Sequence, residues 1–245
     1  STSLAGLLSH LFHWKAIYAI SAVMMIVLAV LLKAKLPNLP ISKIKYIHIF
    51  KSMALLIKQQ PRLGFRAIIG GFTFAAMSIL FSTIAILTSP QYNFSDVLVG
   101  VVTLVAVFGA LSTAKIGKIA DQGHTLVLTW IGLFILAISW MFLYFGGQHL
   151  ISYIFGYGLI SLGLTIVHTS NQSIIFRLHP DAKSRINSIY MTTYFIGGAC
   201  GSAVGVYSWH HGGWLMTCIA GLCLVIGSAL FAFIDMRYHA KSLAA

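Results

Sequence analysis

Side chains able to do chemistry are sparse in this sequence. Four residues are acidic, Asp96, Asp121, Asp181 and Asp235, and none is a Glu. One of them, Asp121, lies in "GKIADQGH", a short Gly/Lys/His turn between two long apolar runs. Ten histidines invite a metal site, yet His10–His13 and the adjacent His210–His211 are the pairs at short spacing, and neither has a nearby carboxylate. Cys200, Cys218 and Cys223 are odd in number and lack C-x-x-C spacing, so they support neither a disulfide framework nor zinc and read as small packing residues. A serine nucleophile would need a partnered base that the apolar runs do not offer. No enzyme, cofactor or metal is expected.

The informative polar residues lie inside apolar runs. Ser161, Thr165, His168 and Gln172 fall at offsets 0, 4, 7 and 11, which is one helical face. Asn187, Tyr190, Tyr194 and Gly201 share a stripe in the same way. An unpaired polar group in an apolar medium costs several kcal/mol, so such residues face a wet cavity or a neighbouring helix. His168 admits both readings: a cavity group, or a histidine satisfied by another helix. Asn171 and Ser173, off the stripe, read as helix-packing residues. Gly197, Gly201 and Gly205 recur every four residues, the spacing that lets helix backbones approach closely.

The elements that position these residues follow from composition. The chain is 58% hydrophobic and 8% charged, with a mean hydropathy of +0.90. A soluble domain carries about 25% charged residues, and a water-facing surface cannot be made from so few. The surface must face lipid. A net charge of +12 could suggest nucleic acid, but the Lys and Arg lie between apolar runs and form no basic face. Pro37, Pro40, Pro61, Pro90 and Pro180 also fall outside those runs, where a missing N–H is harmless.

Runs of about 20 apolar residues, enough to cross a hydrocarbon core, lie near 14–32, 65–88, 97–116, 125–145, 150–176, 187–208 and 214–236. Residues 1–12 read as the tail of an earlier run. No cleavable signal peptide is legible, and the chain opens on Ser. Basic residues are retained on the cytoplasmic side, and they fill alternate connections here, the first running from Lys33 to Arg66, with Lys15 the exception. That places 34–63, 117–123 and 178–185 in the cytoplasm and 90–95, 146–149 and 209–212 outside. In the long connection, "YIHIFKSMALLIKQQP" repeats Ile47, Phe50, Ala54 and Ile57 at helical spacing, which predicts an amphipathic helix on the inner membrane surface.

With these elements the sequence resembles the major facilitator superfamily of secondary transporters, nearest to bacterial drug-efflux-like permeases. Gly117-Lys118-Ile119-Ala120-Asp121 is similar to the family's GxxxD signature between the second and third helices of a bundle. Ala114 and Gln122 stand where the family often has Pro and Arg, and the usual basic cluster is reduced to His124. The stretch 179–205, "HPDAKSRINSIYMTTYFIGGACGSAVG", resembles the entry to the fifth helix of the second bundle, and 6–32 resembles the end of the first.

The resemblance implies an all-α membrane protein: a second six-helix bundle (64–237), preceded by the end of the first (1–33) and a linker (34–63), with a tail (238–245). It implies a gating set of Gly117, Lys118, Asp121 and Arg185, in which Asp121 locks the inner gate; the alternative is that Asp121 caps the helix starting near residue 124. It implies a cavity lined by the 65–88, 97–116, 150–176 and 187–208 helices. It also implies an efflux permease of the inner membrane with a cytoplasmic C-terminus. The lipid bilayer, a small-molecule substrate, protons and a first bundle would be its partners. No carboxylate lies inside a run, although Asp96 and Asp235 sit at run ends, so the main coupling acid is expected in the first bundle. Within the family, the alternative is a truncated product that transports nothing. A seven-helix receptor fits poorly: the last run has no Lys for a retinal Schiff base, and no NPxxY appears.

Overall fold

The computed structural model describes residues 14–35, 46–92, 105 and 107–244, and its elements are helical. The run tail read at 1–12, the start of the linker and most of 93–106 lie outside the described residues. The helices are α1 (Trp14–Lys35), α2 (Tyr46–Gln59), α3 (Pro61–Tyr92), α4 (Val107–Ile119), α5 (Thr125–Phe145), α6 (Leu150–Leu178) and α7 (Lys183–Ala244). The described part of each apolar run read from the sequence is helical, with the last two runs forming the two arms of α7.

Local chemistry sets the breaks. Pro61 opens α3, where its missing N–H is an orphan in any case. Between α4 and α5 the chain turns over Ala120–His124, and Gly123 has φ +95°. The arms of α7 part at Gly212 and Gly213, the latter at φ +60° and ψ −150°. Both positive-φ positions need glycine, because a Cβ there meets its own backbone.

The bundle is assembled around α3, which lies against both arms of α7. Along the first arm, a Cβ at Gly197 would overlap the backbone of Gly71, and one at Gly201 would overlap Ala75. On the second arm, Phe72 stacks on Phe231 at 5.8 Å between centroids. Trp214 Nε1 donates to the Leu143 carbonyl at 2.8 Å, tying the same arm to α5. The main core gathers Ile79 and Leu80 of α3, Leu136 and Trp140 of α5, Tyr153 and Ile160 of α6, and Val225 of the second arm. Helix α2 docks on the bundle through Leu56 and Met53. Its Phe50, Ala54 and Ile57, three of the apolar positions read at helical spacing, remain exposed.

Large apolar side chains cover the outside, among them Phe134, Met141, Phe155, Phe195 and Leu230. Between Tyr18 and Lys35, α1 buries nothing in the chain itself. Surfaces of this kind are stable against lipid or another helix, not against water.

Candidate functional site

Two polar constellations interrupt this apolar structure. The first is buried at the basic end of the bundle. Arg66, in the second turn of α3, has a side chain with no exposed surface. Its guanidinium donates to Asp235 Oδ2 on the second arm of α7 through Nη2 at 2.6 Å and Nε at 2.9 Å. Nη1 donates to Thr129 Oγ1 of α5 at 3.0 Å and to Asn171 Oδ1 of α6 at 3.2 Å. Four helix segments therefore converge on one cation. Arg62, a turn earlier on α3, adds its Nε at 3.5 Å from Asp235 Oδ1. A charge survives in such a place when it is paired and its hydrogen bonds are met, and this one has a carboxylate and two neutral acceptors.

The network continues toward the predicted stripes. Asn171 Nδ2 donates to the Tyr190 hydroxyl at 3.5 Å, and that hydroxyl lies 3.2 Å from His168 Nδ1. The His168 ring is also 5.0 Å from the Tyr194 ring, which stacks on Phe74 of α3 at 4.1 Å. The structure thus brings His168, Tyr190 and Tyr194 together. Thr165 instead donates to its own helix at the Ser161 carbonyl, 2.9 Å away, and Ser161 lies against Gly109 of α4. Gln172 and Asn187 are half-buried, and their side chains form no hydrogen bond among the described residues.

The second constellation surrounds the turn after α4. Gly117 and Lys118 belong to the last turn of α4 and not to the connection. A Cβ at Gly117 would meet nothing within 4 Å. Asp121 lies on the turn, and its carboxylate is 3.2 Å from Arg177 Nη2 at the end of α6. Ser173, one helical turn earlier, donates to the same oxygen at 3.3 Å, and Arg177 also donates to the Ala120 carbonyl at 3.1 Å. No side chain caps the N-terminus of α5, so the bonds of Asp121 run across to α6. Its ion pair is with Arg177, while Arg185 forms no ion pair among the described residues. Arg62, Thr125, Arg177 and His239 line one cleft of about 310 Å³ beside this turn.

Sequence reasoning placed Arg66 in a basic connection, Asp235 at a run end and Asn171 in helix packing, and so did not join them. A signal was present: Arg66 lies within "GFRAIIGGF" and Asp235 within "LFAFIDM", one charge of each sign set in apolar sequence. Arg177 shares a helical face with Ser173, four residues before it, but nothing in the sequence singled it out as the partner of Asp121. Among the described residues, no three His, Cys, Asp or Glu side chains come together as metal ligands.

Long apolar helices with apolar outer faces define an all-helical membrane protein. A family model described as Major Facilitator Superfamily matches residues 1–202, and the chain belongs to that family. A putative uncharacterized transporter of Escherichia coli is 35% identical over 230 residues, covering 93% of this chain and 58% of the relative. A probable transporter of Streptomyces coelicolor is 24% identical over 91% of the chain and 53% of its own length. A probable sugar efflux transporter of Pasteurella multocida is 25% identical over 96% and 57% respectively. The chain spans a little over half the length of these relatives.

Proposed function

We propose that the chain forms the second half of a secondary active transporter that moves a small molecule by alternating access, as an efflux permease of the inner membrane. The observation that carries this reading is the polar cluster of His168, Tyr190 and Tyr194, built between α6 and the first arm of α7 in an otherwise lipid-facing bundle. Ser161, Thr165, Gln172 and Asn187 extend that face, and a first helical bundle is the partner that encloses it. The likeness to a relative named a probable sugar efflux transporter supports outward movement. In this reading protons are the coupling ion, and His168, neutral in the resting state, assists from the cavity face. Asp235 is already engaged by two arginines, so the main coupling acid belongs to the first bundle. The C-terminus lies in the cytoplasm, on the side of the basic connections.

Transport by the complete protein in proteoliposomes tests the reading. His168→Leu keeps an apolar volume and removes the ring nitrogens. It is expected to lower the rate at least about tenfold, the factor that one hydrogen bond of about 1.4 kcal/mol represents. An unchanged rate would reduce the stripe to a packing feature.

The gating set makes a separate prediction. Asp121 and Arg177 are 76% and 50% exposed, and exposed pairs contribute about 0–1 kcal/mol. Asp121→Asn should therefore leave unfolding almost unchanged while transport per molecule falls. Equal loss of both would point to a structural pair and not a gate, in which Gly117, Lys118 and Arg185 serve as neighbouring parts.

A further inference from the structure

We propose that Arg66 is a positioning residue: acting through Asn171 and Tyr190, it holds His168 as the neutral imidazole protonated on Nε2. The substrate cavity is then given a hydrogen-bond donor at that point and takes a solute with an acceptor oxygen there. The inference rests on reading the His168 face as the substrate cavity, and it goes further by assigning the sense of every hydrogen bond behind that face.

The sense follows from what each group can do. A guanidinium donates and never accepts, so the Asn171 atom 3.2 Å from Arg66 Nη1 must be the carbonyl oxygen. The amide orientation is then set, and the group facing Tyr190 is the NH2, a donor. The Tyr190 oxygen accepts from it and keeps its own hydrogen to give. The acceptor within reach is His168 Nδ1 at 3.2 Å. A proton on Nδ1 would leave the wholly buried Tyr190 hydroxyl with two donors aimed at it and no acceptor for its own hydrogen. The proton therefore sits on Nε2, which bonds to no described residue.

Packing keeps the relay in register. Tyr190 is seated against the backbone of α3, in the space a side chain at residue 70 would fill: a Cβ added to Gly70 would lie 2.6 Å from its hydroxyl oxygen. Arg66 cannot rotate without giving up both bonds to Asp235. Direction thus passes from a residue without solvent exposure to a half-buried ring that can meet a ligand.

The test reads the tautomer directly, by nitrogen NMR of histidine-labelled protein in lipid nanodiscs. His168 is assigned as the signal lost in His168→Gln. We expect a protonated Nε2 and an unprotonated Nδ1. Asn171→Asp preserves shape and the pairing with Arg66 but offers Tyr190 an acceptor. The hydroxyl should then turn toward residue 171 and accept from the ring, so that the two nitrogens exchange their shifts. Tyr190→Phe, which keeps the ring and removes the hydroxyl, should abolish the single-tautomer signature. A proton found on Nδ1 in the unmodified protein, or one that stays on Nε2 in Asn171→Asp, would overturn the proposal. The tautomer is read without substrate, so an inactive transporter that keeps the Nε2 proton would count against the transport reading and not against this one.

Discussion

Asp235→Ala is expected to destabilise the folded bundle by about 3–5 kcal/mol, the range for removing one partner of a buried ion pair. Arg66 has no exposed side-chain surface and donates two of its four hydrogen bonds to Asp235. Without the carboxylate, Thr129 and Asn171 remain, and neutral dipoles do not compensate a cation held away from water. Arg62 would lose the same counter-charge. The effect should be read as a lowered unfolding midpoint in mild detergent, with loss of folded yield.

The double variant Arg66→Met with Asp235→Leu separates charge from shape. Replacing both members of a buried pair with apolar residues of similar size is often neutral or stabilising, so most of the loss should be recovered. A single-variant loss under about 1 kcal/mol, or a double variant as unstable as the single, would show that the pair does not carry the convergence of the helices.

Gly197→Val and Gly201→Val should each cost about 3 kcal/mol or more, the upper end for overpacking a filled interior. At both positions the new Cβ would strike backbone of α3, at Gly71 and at Ala75, and not the tip of a movable side chain. Relief requires α3 and the first arm of α7 to separate, which loosens the contacts that hold Tyr190 and Tyr194 beside His168. Gly205 faces Ile79 and Ser82, and the serine hydroxyl can move, so the same change there should cost less. Gly117→Ala is the control with the opposite sign. That glycine lies in α4 with open space around it, and Gly→Ala in a helix gains up to about 1 kcal/mol. Thermal unfolding of the four variants would rank them. A Gly201→Val protein as stable as its parent would show that the seam is looser than its geometry.

How far the sequence reached varies with the range of the interaction involved. The helices were readable because crossing lipid obliges each segment to satisfy its own backbone hydrogen bonds, so length and hydropathy suffice. Glycines four residues apart and polar residues sharing a face were readable for a similar reason, since helical periodicity places them without reference to any other segment. Asp121 could be located on a turn by its Gly and His neighbours, yet its partner could have been any basic residue on that side. Arg177 was decided by which end of α6 comes to rest beside the turn.

The buried clasp lay beyond periodicity altogether. Arg66 and Asp235 are 169 residues apart, and from sequence both looked like charges at the membrane edge. Membership of an all-helical transporter family, the order of the helices and their polar faces were determined by the sequence alone, through local backbone and hydropathic demands. Which helices meet, and so which charge is neutralised by which and which way the hydrogen bonds behind His168 run, was decided by tertiary structure. The reason is physical: a charge or an amide in an apolar interior has a stable state only once a specific partner from a distant segment has arrived.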